Sequence, residues 1–144
     1  MEKDTEELNH ELREAKDAEE FLTENQENFR EYALREYLEL LMKEKNLSKA
    51  EIIVKSQLEQ VYAYHIFAGR KKKPSRNKIL SIALAMKLNL KETQRLLYYA
   101  GSEELYPKNS RDSVIIYAIN NQMNVADTNA LLQNLSVKPL LVSI

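Results

Sequence analysis

The chain has no cysteine and no tryptophan, and only two glycines, three prolines and two histidines among its 144 residues. Without cysteine there is no disulfide, no thiolate metal site and no thiol nucleophile. His10 and His65 are the only imidazoles, so a multi-histidine metal centre is not expected. So few glycines and prolines argue against a β-rich or loop-rich protein. No apolar run approaches the length that crosses a bilayer, which argues against a membrane role. The acidic start does not have the form of a secretory signal. A Gly-rich phosphate loop, a nucleophile elbow and a metal-ligand cluster are all missing, so neither an enzyme nor a cofactor is expected. The expectation is a cytoplasmic, all-α protein.

Charge is present but divided. Residues 1–30 carry −7 and residues 31–144 carry +6, although the whole chain is only −1. Such an asymmetry suggests an anionic partner for the basic part, or a solvated acidic tail.

Apolar residues recur at helical spacing from Glu6 to Leu22 in a thin stripe, which predicts a helix or an arm over residues 1–30. Tyr32 to Asn46 predicts an amphipathic helix with Ala33, Leu34, Tyr37, Leu38, Leu40, Leu41 and Met42 on its apolar face. Ser48 is placed to cap the next helix, Lys49–Ser56, and Glu51 completes a capping-box spacing. A break at Gln57–Leu58 leads to a helix over Glu59–Ala68, which stops at Gly69. After the loop GRKKKP, Ser75 starts a helix to about Leu88. Another runs from Lys91 to Ala100 and ends at Gly101.

The remainder repeats what precedes it. At a shift of 35 residues, Ile79–Leu105 lies over Val114–Leu140. Asn89 meets Asn124, Thr93 meets Thr128, and Leu105 meets Leu140. Residues 102–144 are therefore expected to form a second helical hairpin sharing the core of residues 31–101.

Two short helices, a tight turn and a basic loop make the helix-turn-helix pattern. The stretch LSKAEIIVKSQLEQVYAYHIFAGRKKKPS resembles the Cro/repressor-type, or XRE, family of bacterial helix-turn-helix proteins. Leu47, Ser48, Glu51, Ile52, Lys55, Leu58, Tyr62, Ile66, Gly69, Pro74 and Ser75 carry the resemblance, which covers about half the chain. It implies a lambda-repressor-like domain of five helices over residues 31–101. It also implies double-stranded DNA as partner, and commonly a homodimer on two-fold-related half-sites. Lys49 then stands where the family anchors a phosphate. Gln60 stands where a base reader is common, and glutamine pairs bidentately with adenine. Val61 is placed to touch a thymine methyl, with Tyr64 and His65 on the same face. Arg70, Lys71, Lys72, Lys73, Arg76 and Lys78 are placed for flanking phosphates.

Some positions depart from the family pattern. Gln57 replaces the turn glycine, and Glu59 puts a carboxylate at the helix end that approaches DNA, where it also suits the helix dipole. Tyr64 and Phe67 replace polar residues, so the third helix is apolar nearly all round. Either the last hairpin or a partner is then needed to cover it. Two functions stay open: a sequence-specific DNA-binding transcriptional regulator, and an interaction module holding a protein partner through that aromatic helix and the C-terminal hairpin. Tyr98–Tyr99 is read as packing.

Overall fold

The computed structural model describes residues 3–25, 30–71 and 73–141; residues 1–2, 26–29, Lys72 and 142–144, and the side chains of residues 30–33, Ala33 among them, fall outside this description. Among the described residues there are nine helices and no strand. None of them is long and apolar enough to cross a membrane.

The acidic start forms two helices rather than one. Asp4 caps α1 (Thr5–Glu14) by accepting the Glu7 N–H at 2.8 Å. Ala15 is extended, and Asp17 starts α2 (Ala18–Glu24) by accepting the Glu20 N–H at 2.6 Å. An Asp cap satisfies orphan amides only from non-helical backbone, so it breaks the stripe expected to run through residues 6–22. Buried Asn25 ties the pair together, donating to Glu11 Oε2 at 2.9 Å and accepting from Lys3 Nζ at 2.9 Å. Hydrogen bonds from Lys3 and Asn25 hold the Glu11 carboxyl below its ordinary range. Phe21 is buried here, apart from the main core.

One apolar cluster runs from Leu34 to Leu140 and joins all the remaining helices. These are α3 (Arg30–Lys45), α4 (Lys49–Ser56), α5 (Gln60–Phe67), α6 (Arg76–Ala85), α7 (Leu90–Tyr99), α8 (Ser110–Asn120) and α9 (Val125–Asn134). Helix α6 is the axis of the cluster: every residue from Ile79 to Ala85 is buried, and α4, α7 and α9 surround it. An all-round apolar helix is stable only when enclosed in this way. Helix α7 packs between α3 and α8. Its Tyr99 meets Tyr37 edge-on at 5.2 Å, and Tyr98 lies half-buried beside it, which makes the tyrosine pair a packing feature. Leu40, expected on the buried face of α3, is exposed.

The helix ends share one device. Asn46, Gly69, Lys87, Gly101, Gln122 and Ser136 all adopt positive φ just past a helix. In each case this residue and the next donate to carbonyls in the last turn, as in Lys87 N–H to Leu84 O and Leu88 N–H to Ala83 O. This is the Schellman arrangement, in which the following apolar residue folds back on the helix. Leu47, Leu88, Met123 and Val137 occupy that position and pack on the core. This device ends α6 at Ala85, three residues before the expected Leu88.

The 35-residue repeat extends to individual hydrogen bonds. Asn89 and Asn124 each cap a helix, accepting from Glu92 N and Asp127 N. Thr93 and Thr128, both fully buried, donate back to the carbonyls of those asparagines. Leu105 N–H donates to Gln94, and Leu140 N–H donates to Asn129. Arg76 Nε donates to Glu103 O, and Arg111 Nε to Lys138 O. The two hairpins are then cross-linked: Arg76 bonds Asp112 through both terminal nitrogens, and Arg111 Nη2 donates to Asn77 Oδ1.

Candidate nucleic-acid interface

Helices α4 and α5 present the residues that the sequence pointed to. Ser48 caps α4, its Oγ accepting the Glu51 N–H at a long 3.4 Å. A complete reciprocal capping box forms at Asn89 and Glu92. Lys49 is exposed on the first turn of α4.

The turn between α4 and α5 is built without glycine. Gln57 takes the left-handed conformation, at φ 61° and ψ 15°, although it costs an L-residue roughly 1–2 kcal/mol. Ser56 offsets part of this. Its fully buried hydroxyl donates to Ile53 O at 2.7 Å and accepts the Leu58 N–H at 3.2 Å, bridging the bend. The sequence reading did not single out Ser56. Its signal was a serine hydroxyl two residues before an amide that the bend would otherwise orphan.

Glu59 is the N-cap of α5. Its carboxylate accepts from Val61 N at 2.6 Å and Tyr62 N at 3.2 Å. The carboxylate is therefore spent on the helix start, and the dipole explanation accounts for it. Ala63, Ile66 and Phe67 face inward, with Phe67 only 2% exposed. The cover for that face comes from α3 and α4, against which α5 chiefly packs. Among the described residues, α8 and α9 of the last hairpin pack chiefly on α7 and α6. The outward stripe is Gln60, Val61 at 59% exposed, and Tyr64 at 38% exposed, with His65 half-buried beside it.

Gly69 closes α5 at φ +80°, where an added Cβ would stand 3.3 Å from Arg35 Cδ. Arg70, Lys71 and Lys73 beyond it are exposed, and Pro74 is buried, which pins the end of the loop. Lys71 Nζ lies 5.2 Å and Lys78 Nζ 3.7 Å from the centre of the Tyr62 ring, so one aromatic gathers two cations.

Arg76 differs from these cations in being engaged within the fold. Its guanidinium donates to Glu103 O, Glu104 O and both oxygens of Asp112, at 2.8–2.9 Å. Asp112 also accepts the Tyr106 N–H at 2.9 Å. Burial alone would raise the Asp112 carboxyl, but the bonds from Arg76 and Tyr106 outweigh it and hold the group below its ordinary value. The same pair raises Arg76. Among the described residues no cluster of three or more His, Asp or Glu side chains is placed to hold a metal ion. No protein-family model, curated protein or solved structure matches this chain.

Proposed function

We propose that the chain is a sequence-specific DNA-binding regulator of the Cro/repressor type, with α4 and α5 as its helix-turn-helix and α5 as the recognition helix. The observation that supports this best is the division of α5. Its inward face is sealed into the core at Ala63, Ile66 and Phe67, while Gln60, Val61 and Tyr64 stay outside. Exposed cations precede and follow α5 in the chain, Lys49 at the start of α4 and Arg70, Lys71 and Lys73 just beyond Gly69. An outward stripe on the second helix suits the major groove, and cations at the start of the first helix and after the second suit the flanking phosphates. Lys78, held on Tyr62, adds to the cationic rim. Arg76 is left out of the interface because its donors are engaged inside the fold.

The competing protein-partner function rests on the aromatic α5 and the C-terminal hairpin, where Tyr64, Tyr117 and Leu135 are exposed. The burial of Phe67 removes half of the aromatic patch on which it was built. A binding titration on a randomised duplex pool across a salt series tests the proposal. Binding should weaken linearly on a log–log plot, by about 0.9 per phosphate contacted. Absence of binding to any duplex at low salt overturns it.

A further inference from the structure

The side chains that most often read G·C pairs are missing from α5. Guanine is most often read in the major groove by arginine or lysine, and cytosine by a carboxylate. Helix α5 has the sequence QVYAYHIF, without arginine or lysine. The one carboxylate at its start, Glu59, is turned back onto the amides of Val61 and Tyr62, which hold it at the helix end. The nearest cations, Arg70, Lys71 and Lys73, lie beyond the C-terminal end of the helix, where they suit phosphates. What does face outward is Gln60, whose amide matches the adenine edge, the apolar side chain of Val61, and Tyr64, whose ring can pack on a methyl while its hydroxyl stays in water. The one apolar group in the major groove is the thymine methyl.

We propose that α5 selects A·T-rich duplex DNA, with Val61 and Tyr64 seated on thymine methyl groups and Gln60 on an adjacent adenine. This rests on the DNA-binding function proposed above and names the ligand of that same stripe. A methyl removed from water contributes roughly a three- to fivefold change in affinity. His65, half-buried a turn further along, takes no part in reading guanine.

The experiment uses the full chain and fluorescence anisotropy. A duplex is first selected from a randomised pool. It is then compared with the same duplex carrying uracil for thymine, and with one whose A·T pairs are replaced by G·C. The expected result is an A·T-rich selected site, a loss of about three- to fivefold on uracil exchange, and a loss of tenfold or more on G·C exchange. In the variant Val61→Ala, shown by its melting curve to be folded, the uracil penalty should shrink. A G·C-rich selected site, or equal affinity for thymine and uracil duplexes, overturns the inference while leaving DNA binding intact. No binding to any duplex overturns both, and leaves the Val61–Tyr64 stripe to a protein partner.

Discussion

Replacing Asp112 by asparagine tests whether the paired hairpins are held by the Arg76 ion pair. The Asp112 side chain is 8% exposed and that of Arg76 is 25% exposed, so the pair is largely screened from solvent. Asp112→Asn keeps the shape, but it removes the countercharge and one of the two Arg76 bonds. Truncating one partner of a buried pair costs about 3–5 kcal/mol. Arg76 keeps its bonds to Glu103 O and Glu104 O and some contact with water, which reduces the expected loss to about 2–3 kcal/mol. Urea unfolding at pH 7 reads this directly, and the melting temperature should fall by roughly 6–12 °C. The pH dependence has a definite sign. The folded carboxyl lies below its ordinary value of 3.8, so its contribution is complete well above that pH and is lost as pH falls through the folded pKa. The gap between wild type and Asp112→Asn should therefore close below about pH 4. A gap smaller than about 0.5 kcal/mol at pH 7, or one unchanged down to pH 2.5, would show that the pair does not hold the hairpins together.

Gln57→Gly should stabilise the fold by about 0.5–1 kcal/mol, because relief of the left-handed conformation exceeds the added flexibility of the unfolded chain; a loss in urea unfolding refutes the strain argument. Gly101→Ala should cost about 1 kcal/mol through φ +75° alone, since nothing lies within 4 Å of the new Cβ; a neutral melting curve contradicts it. Lys71→Ala with Lys73→Ala should weaken binding to all duplexes alike and flatten the salt slope by roughly two units, and an unchanged slope removes the loop from the interface. Tyr62→Leu should release Lys71 and Lys78 and lower DNA affinity severalfold, while Tyr62→Phe, which keeps the ring, should not; equal behaviour of the two variants rules out a cation–π role. Deleting residues 1–25, which carry −7, should tighten nonspecific binding at low salt and lose that gain as screening sets in, and unchanged binding after the deletion would refute competition by the arm.

The elements of the fold were legible wherever a local signal decided them. The sequence placed α4, α5 and α7 within a residue or two of where they stand, because Asn89 is a strong cap and Gly69 and Gly101 supply cheap positive φ. Asp17 was equally local, but the continuous apolar stripe around it suggested one helix. The end of α6 was hidden for a different reason. Lys87 takes a left-handed conformation that its residue type does not advertise, and only the apolar Leu88 behind it marks the motif. The cover for Phe67 was not legible at all. Which neighbour seals an all-round apolar helix is a tertiary fact, and here α3 and α4 are the chief ones.

Arg76 shows how a charge run is misread and how a repeat corrects it. Next to Arg70, Lys71 and Lys73, an arginine at the start of α6 looks like one more phosphate ligand. Its counterpart 35 residues later is Arg111, which follows no basic loop. A phosphate role gives the second copy no reason to carry an arginine, whereas a structural role needs one in each. The hydrogen bonds supply that role. Each arginine closes its own hairpin through a carbonyl of the closing segment, and each also reaches the residue after the other arginine, Asp112 or Asn77. The two cross-links differ in one respect. Arg76 meets a carboxylate and Arg111 meets a neutral amide, so only the first carries the pH dependence described above. Asn77→Ala should therefore weaken the joint by about 1 kcal/mol at pH 7 and by the same amount in acid, and a strong pH dependence in that variant would mean that the two cross-links are not independent.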